Sequence, residues 1–252
     1  IIVMISKSTL QSFISKYNLG GLYQKAKWRV KDNTLTVYIN DSGLNSKVHL
    51  NDFQLEDGHI CMVDTNKLKK LIAITNGELI LTLEKHTNTA QDTVIYTKLL
   101  IADENFDLSF SLSDKTMFGK ESWIEHPEEG YDLEMTLSNI DIDNLLKAKN
   151  ALGDVNEMMI SSQKDLDGND VCEFKFGDNN SFSNKIVFNA PATTNNIVDS
   201  VIYNSDMFKR ILDANKDMES CTMKISNVGW SYFVFMNDGL TSEYFIRQDE
   251  PT

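Results

Sequence analysis

The chain is poor in the residues that interrupt or cross-link a protein. Its 252 residues include 3 prolines, 12 glycines, 3 cysteines and 4 histidines. Cys61, Cys172 and Cys221 lie far apart without paired spacing, which indicates buried, reduced thiols and argues against disulfides and a zinc site. We expect no metal and no other cofactor. The apolar stretches end well before the roughly 20 residues that span a bilayer, so we expect no membrane segment.

Positive charge is scarce as well. The chain has 24 Lys and Arg against 37 Asp and Glu, which gives a net charge of -13. This total argues against a protein that holds nucleic acid on its outer surface. A hydrophobic content of 41% indicates instead a folded protein with a sizeable core. The apolar start of the chain lacks the basic region and long apolar core of a secretory signal, so it predicts a first strand.

Most of the chain consists of short segments rich in β-branched and aromatic residues, separated by polar turns. Segments of this kind predict strands. They lie at residues 34–39, 78–83, 93–101, 107–112, 171–176, 185–188, 197–203, 222–226, 231–236 and 243–247. The sequence therefore predicts a protein dominated by β-sheet.

Four segments instead have apolar residues at the spacing of one helical face, in windows 7–18, 65–75, 141–150 and 204–216. The candidate N-caps are Ser6 or Ser8, Asp64, a residue near Asp141, and Asn204 or Ser205. Two helices fall in each half of the chain, and strands fill the gaps. This order indicates a duplicated unit and an α+β fold with two helices and antiparallel sheet in each half. We predict domains at 1–117 and 132–252, joined by an acidic linker at 118–131.

The charges are distributed unevenly along this layout. The four helical windows together carry a net charge of +6, which leaves -19 for the rest of the chain. Residues 1–31 contain six basic residues and no acidic residue. Lysines on the exposed face of a single helix are ordinarily explained by solvation. The recurrence of basic helices in an acidic chain weakens that explanation.

The segments that resemble catalytic or metal-binding motifs have simpler explanations. Asp165-Leu166-Asp167-Gly168-Asn169-Asp170 lacks the glycine position and the terminal Glu of a calcium loop, so it predicts a hairpin turn. The four histidines have no metal-ligand spacing. Asp141 and Asp143 at a helix start are explained by capping and by the helix dipole. We predict a protein that is not an enzyme.

The order of helices and strands resembles that of the ring-shaped DNA sliding clamps of the proliferating cell nuclear antigen superfamily, and among them the clamps of T-even-type bacteriophages. The resemblance covers nearly the whole chain through scattered identities. The matching stretches are Met4-Ile5-Ser6-Lys7 to Leu19-Gly20-Gly21, Asp64-Thr65-Asn66-Lys67-Leu68 with Leu71, Ile140 to Leu146, and Tyr203 to Leu212.

The resemblance implies a closed homotrimeric ring that encircles duplex DNA without reading its sequence and tethers a DNA polymerase for processive synthesis. A clamp loader is the implied further partner, and the cytoplasm of an infected bacterial host is the implied location. The implied pore residues are Lys7, Lys16, Lys67, Lys69, Lys70, Lys147, Lys209, Arg210 and Lys216. The implied residues of the partner-binding pocket are Phe118, Trp123, Ile124, Tyr244, Phe245 and Ile246. Ring closure implies pairing between strands at 107–112 and 182–188 of neighbouring subunits.

Three alternatives remain at this stage. Phe245 and Ile246 also fit plain strand packing. The whole chain also fits an acidic structural or assembly protein of a virion with no DNA-encircling role. A third possibility is an acidic decoy that mimics DNA, although the basic first 31 residues argue against it.

Overall fold

The structure is a computed structural model that describes residues 2–88, 93–120, 123, 130–177 and 183–249, without the side chains of residues 88 and 93. The chain divides into two compact units. Unit 1 comprises Ile1–Ile39 and Lys47–Trp123, and unit 2 comprises Asn40–Ser46 and Ile124–Thr252. The bounds of the predicted domains and linker stay a prediction.

The described part of unit 1 contains two α-helices and two sheets. One sheet has the strand order β1-β6-β7-β8, and the other has the order β4-β3-β2-β5. The elements are β1 (Val3–Ser6), α1 (Lys7–Asn18), β2 (Ala26–Lys31), β3 (Thr34–Asp41), β4 (Leu44–Leu50), β5 (Gly58–Met62), α2 (Thr65–Ala73), β6 (Glu78–Asn88), β7 (Thr93–Ala102) and β8 (Asp107–Ser111). The end of β3 and the start of β4 fall in the segment Asn40–Ser46, which is assigned to unit 2.

Unit 2 repeats this arrangement within its described residues. One sheet has the order β12-β11-β10-β14, and the other has the order β13-β9-β15-β16-β17. The elements are β9 (Leu133–Leu137), α3 (Asn139–Ala151), β10 (Glu157–Lys164), β11 (Asp170–Phe176), β12 (Ile186–Pro191), β13 (Thr193–Thr194), β14 (Val201–Asn204), α4 (Ser205–Asn215), β15 (Ser220–Ile225), β16 (Trp230–Asn237) and β17 (Leu240–Arg247).

The two units therefore have the same topology. In each, a strand and an α-helix precede four strands, and a second α-helix precedes three more strands. The short β13 is the one addition among the described strands and α-helices. The first strand of each unit joins the last three in one sheet, and the middle four form the other. This confirms the α+β class and the duplicated layout that the sequence predicts.

Side-chain caps fix where the helices begin. Ser6 Oγ accepts a hydrogen bond from Thr9 N at 3.1 Å, and Asp64 Oδ1 accepts one from Lys67 N at 2.9 Å. Asn204 Oδ1 likewise accepts one from Met207 N at 2.9 Å. Each oxygen satisfies a backbone N–H that has no partner inside the helix. All three residues are among the predicted caps.

The third helix begins earlier than the sequence analysis placed it. Its N-cap is Ser138, whose Oγ accepts from Asp141 N at 3.2 Å while Asp141 Oδ2 accepts from Ser138 N at 2.8 Å. This reciprocal capping box makes Asp141 the third residue of the helix. The strand predicted at 197–203 is also wrong at its start, because β14 begins at Val201.

Aromatic side chains organise the core of each unit. In unit 1, Phe13 contacts Trp28 edge-on with ring centroids 5.6 Å apart, and Trp28 Nε1 donates to Tyr17 Oη at 3.1 Å. In unit 2, Phe208 contacts Phe233 with centroids 5.7 Å apart. Each such pair contributes about 1 kcal/mol beyond the apolar area that it buries.

A buried polar network also lies in unit 2, around Asn215 near the end of α4. Its Nδ2 donates to Ile211 O at 2.8 Å and to Tyr244 Oη at 3.0 Å. Ser242 Oγ donates to Asn215 Oδ1 at 2.6 Å. The three side chains have no exposed surface, so each depends on the others for its hydrogen bonds.

All three cysteines are buried, as expected, and none of them forms a disulfide. Burial raises the pKa of Cys221 to about 12 and holds the pKa of Cys172 well above its usual value. Only the thiolate attacks a disulfide reagent, so a raised pKa slows the reaction.

We expect an aromatic disulfide reagent at pH 8 to modify the native protein at least about 100-fold more slowly than the urea-unfolded chain. The rate of modification is measured by absorbance. Rapid stoichiometric labelling of the native protein would contradict this burial.

Across the segments that the structure describes, no helix is both long enough and apolar enough to cross a membrane.

Candidate nucleic-acid interface

The helices of unit 1 carry cations and no anions. Helix α1 contributes two lysines and α2 contributes three, and neither contains Asp or Glu. Lys67 and Lys70 are exposed on α2, whose Leu68 and Ile72 enter the core. This surface therefore has the charge that phosphate groups require.

Two further lysines of this surface, Lys7 and Lys69, form hydrogen bonds within unit 1. Lys7 Nζ donates to Ala73 O at 2.8 Å and to Thr75 O, at the C-terminal end of α2. A cation there satisfies orphan carbonyls and complements the helix dipole. The backbone N–H of Asn105 lowers the pKa of Asp103, and Lys7 adds to this effect. The positive charge of Lys7 is therefore partly offset within unit 1.

Lys69 is half-buried, and its Nζ lies 3.4 Å from Asn18 Oδ1 at the end of α1. The contact links the two helices of unit 1. A neutral amide partner leaves the charge of Lys69 uncompensated, so Lys69 still adds to the positive field of this surface.

The prediction that Lys16 contacts DNA is wrong. Its side chain has no exposed surface, and its Nζ donates to Ser12 Oγ at 2.8 Å. The helical spacing places Lys16 beside the buried stripe, next to Tyr17. A side chain enclosed in this way cannot reach a phosphate group.

The helices of unit 2 are electrically neutral. Helix α3 has two lysines and two aspartates, and α4 contains two cations, Lys209 and Arg210, and two anions, Asp206 and Asp213. Lys147 and Lys216 are exposed, the latter as the residue that caps α4. Acidic neighbours weaken the attraction of these cations for phosphate.

Lys149, in the last turn of α3, has a structural role. Its side chain is only 2% exposed, its Nζ lies 3.0 Å from Asp206 Oδ1, and it donates to the carbonyls of Gly153 and Val155. It thus joins α3 to α4 and does not extend to solvent.

Of the predicted pore residues, Lys67 and Lys70 lie on the most strongly basic helical surface. The roles of the other exposed or half-buried candidates stay predictions. They are Lys7, Lys69, Lys147, Lys209, Arg210 and Lys216.

The predicted partner-binding residues fall into two groups. Trp123 is half-buried in unit 1, where its ring centroid lies 6.1 Å from that of Tyr38 and 5.6 Å from Lys47 Nζ. Phe118 is also half-buried and follows a short 3-10 helix. Ile124 lies outside the described residues.

The second group, Tyr244, Phe245 and Ile246, is buried within unit 2. Tyr244 binds Asn215, and Phe245 stacks on Tyr232 with ring centroids 4.3 Å apart. Both faces of β17 are covered at this point, so the packing explanation is correct. The prediction that these three side chains anchor a partner peptide is wrong, because none has surface to offer.

The strands predicted to close the ring lie at sheet edges. Strand β8 covers most of the 107–112 segment and ends its sheet in unit 1, and β12 overlaps the 182–188 segment and ends its sheet in unit 2. Edge strands are the ones that can pair with another chain. Residue 182 lies outside the described part, and the pairing itself stays a prediction.

The sequence analysis missed a basic groove on a sheet of unit 1. The signal was present, since three cations of β2, Lys27, Arg29 and Lys31, occur at every second residue. That spacing puts them on one face of a strand. The groove is lined by Arg29, Lys31, Thr34, Thr36, Tyr38, Lys47, His49 and Asn51.

Within the described residues, no group of three His, Cys, Asp or Glu side chains could hold a metal ion. The acidic run at Asp165 forms the predicted hairpin turn between β10 and β11. Asp165 Oδ1 accepts from Asp167 N at 2.9 Å and from Asn169 N at 2.8 Å. Gly168 supplies the positive φ, at 82°, that this turn requires.

Comparison with known proteins gives a match by structure alone. No protein-family model matches the chain, and no curated protein matches its sequence significantly. Proliferating cell nuclear antigen from Entamoeba histolytica superposes with a TM-score of 0.73 at 13% identity, over 99% of this chain and 98% of the other. The A. fulgidus antigen, solved with the C-terminal region of FEN-1 bound, superposes with a TM-score of 0.74 at 15% identity, over 100% of this chain and 99% of the other. The chain therefore has the α+β fold of proliferating cell nuclear antigen.

Proposed function

We propose that this chain is the subunit of a DNA sliding clamp that encircles duplex DNA and tethers a DNA polymerase for processive synthesis. One observation carries the proposal. In a chain with a net charge of -13, the two helices of unit 1 hold no anion, and four of their five lysines, Lys7, Lys67, Lys69 and Lys70, are at least partly exposed. A clamp needs positive charge where it meets the phosphate backbone and no base-reading side chains.

The proposed assembly is a closed homotrimer joined through the edges of β8 and β12. Closure would cover two strand edges that are otherwise liabilities for aggregation. Retention on DNA would then come from topology, so that weak phosphate contacts still permit sliding. The acidic remainder of the chain would discourage adhesion of DNA to the outside.

The proposed partners are a DNA polymerase and a clamp loader, and the proposed setting is the cytoplasm of a bacterium infected by a T-even-type phage. The A. fulgidus antigen, which shares the fold, binds the C-terminal region of FEN-1. By analogy, Phe118 and Trp123 are the described residues that we assign to partner binding. The protein holds its partners in place and catalyses no reaction.

Native mass spectrometry over a concentration series tests the ring, and retention on DNA tests its function. We expect a trimer at high concentration. After loading, we expect the protein to stay on nicked circular duplex and to leave a linear duplex of the same sequence, because a ring slides off a free end. Blocking both ends of the linear DNA with bound protein should restore retention.

The alternative, an acidic structural protein of a virion, predicts a different outcome. Such a protein would be a monomer or an open assembly, and it would treat circular and linear DNA alike. A strict monomer at high concentration, or equal retention on both forms of DNA, would contradict the clamp.

A further inference from the structure

The turn between α2 and β6 contains Asn76, the one asparagine of the chain that a glycine follows. Both Asn76 and Gly77 are exposed. The side-chain amide of an asparagine can be attacked by the backbone nitrogen of the next residue, and glycine permits this most readily because it has no Cβ to hinder the approach. Asparagine is for this reason one of the thermolabile residues of proteins. The sequence of this turn therefore favours loss of the amide.

The structure leaves both reacting groups of this turn accessible. Within the described residues, neither the side-chain amide of Asn76 nor the backbone N–H of Gly77 forms a hydrogen bond. Apart from its chain neighbours, no described residue has an atom within 4 Å of the position that a Cβ on Gly77 would take. The Asn76 amide and the Gly77 nitrogen can therefore approach each other without breaking a contact.

Asn204 is also exposed and precedes a small residue, but its reacting groups are held. Its Oδ1 accepts a hydrogen bond from Met207 N at 2.9 Å as the cap of α4. The backbone N–H of the next residue, Ser205, donates to Asn156 O at 2.8 Å. Attack on the Asn204 amide would break both bonds, so Asn204 serves as an internal reference for Asn76.

A new carboxylate at position 76 would lie where the fold disfavours negative charge. It would follow the C-terminal end of α2, which is the negative end of the helix dipole. The backbone N–H of Asn76 donates to Asp103 Oδ2 at 2.7 Å, so a second carboxylate is already close to this turn. The new charge would also offset the ammonium of Lys7, which binds the carbonyl of Thr75.

Lys7 also ties together the two sides of this turn. Its Nζ donates to Thr75 O, and its backbone N–H donates to Gly77 O at 2.9 Å. Asn76 lies between these two carbonyls. A change in the length of the main chain at position 76 would therefore disturb at least one of the two contacts.

We propose that Asn76 is a site of spontaneous deamidation, whose product destabilises the end of α2 and makes the helical surface of unit 1 less positive. The Gly77 nitrogen attacks the carbonyl carbon of the Asn76 side chain. A C–N bond forms, the amide nitrogen leaves as ammonia with the Gly77 proton, and a five-membered succinimide remains. Water then opens either carbonyl of the ring, which gives aspartate or isoaspartate and releases a proton.

Both products add one negative charge, and no oxidant or reductant is needed. Isoaspartate also places an extra methylene in the main chain, between the two carbonyls that Lys7 binds. The expected effect on DNA rests on the proposed clamp function. The modification itself and its effect on stability do not.

Tandem mass spectrometry tests the modification. The unmodified, folded protein is incubated at pH 8 and 37 °C, and samples taken over time are digested briefly with trypsin. The tryptic peptide of residues 71–85 contains Asn76 as its one asparagine and has no glutamine, so a deamidated form of this peptide identifies the site. We expect conversion at Asn76 at least about tenfold faster than at Asn204, because only the Asn204 turn must open first. Methylation of the product by an isoaspartate methyltransferase identifies isoaspartate.

Two variants test the consequence of the modification. Asn76→Asp has the charge of the product, and Asn76→Gln keeps a neutral amide whose cyclisation needs a slower, six-membered ring. We expect Asn76→Asp to unfold at a lower urea concentration than Asn76→Gln, since its carboxylate lies at the end of α2. In anisotropy with a labelled duplex at low salt, Asn76→Asp should bind about two- to fivefold more weakly than Asn76→Gln, and added NaCl should reduce this difference.

Two results would overturn the proposal. The first is an Asn76 that keeps its amide in the folded protein for as long as Asn204 does. The second is an Asn76→Asp variant that matches Asn76→Gln in both its urea midpoint and its affinity for DNA. Failure of the unmodified protein to bind any duplex would instead contradict the clamp function, and the mass and urea measurements would still decide the fate of Asn76.

Discussion

Reversal of both exposed lysines of α2, as Lys67→Glu and Lys70→Glu, is expected to lower the affinity of the protein for duplex DNA by more than about tenfold at low salt. These side chains lie on the one helical surface that combines several cations with no acidic residue. Each phosphate contact that is lost should also reduce the slope of log affinity against log salt by about 0.9. In a closed ring the change repeats in every subunit, which enlarges the effect.

Anisotropy of a labelled duplex, titrated with protein at several NaCl concentrations, measures both quantities. The matched control is Lys115→Glu/Lys120→Glu, which makes the same charge change at exposed lysines of unit 1 outside its two α-helices. We expect little change in that control. Native mass spectrometry of each variant separates loss of DNA binding from loss of the assembly.

The same reversal in unit 2, Lys209→Glu/Arg210→Glu, should have a smaller effect. Asp206 and Asp213 already make α4 neutral, so its cations hold phosphate less strongly. If the α4 variant lost as much affinity as the α2 variant, the two units would contribute equally to DNA binding. If neither variant lost affinity, the helices would not face DNA.

The substitution Asn215→Ala is expected to destabilise the protein by about 3 kcal/mol. It removes the amide that joins Tyr244, Ser242 and the carbonyl of Ile211, and it leaves two hydroxyls buried without their partner. Each unsatisfied buried group costs about 1–3 kcal/mol, and the gain in helix propensity from Ala offsets only a part of this.

Urea unfolding, monitored by circular dichroism, measures this loss. The urea concentration at the midpoint should fall, while the slope of the unfolding free energy against urea concentration stays unchanged. Asn150→Ala, an exposed position of α3, is the control and should change stability by less than about 0.5 kcal/mol. Tyr244→Phe removes one hydroxyl of the network and should cost less than Asn215→Ala. An Asn215→Ala variant as stable as the control would contradict the network.

The parts of the fold that could be predicted are those that local chemistry determines. Ser6, Asp64 and Asn204 cap their helices because each has an oxygen that can reach an N–H two or three residues ahead. Ser138 was missed, although the Ser-x-x-Asp spacing of a capping box is visible in the sequence. The placement of two helices in each half required no further information, whereas β2, β4, β5, β9 and β10 are not among the predicted strand segments.

The candidate site could be predicted only in part. Lys16 and Lys149 are lysines in predicted helices, as Lys67 is, and the sequence pattern does not distinguish them from it. In the structure they are buried and bind side chains or carbonyls of their own unit. Long lysine side chains fit either environment, because their stems are apolar and their ends are charged. The alternating cations of β2 are visible in the sequence, but the groove of unit 1 also includes Lys47 and His49 of β4. Only the sheet brings the side chains of these two strands together.

The sequence by itself determined the ends of the helices, the duplicated order of elements and the uneven distribution of charge. These properties depend on neighbours within a few residues or on simple sums along the chain. The tertiary structure alone decided which cations and aromatic residues remain at the surface, as the burial of Lys16 and of Tyr244 illustrates. Burial depends on side chains that are distant in the sequence, and no local pattern records which of them will meet.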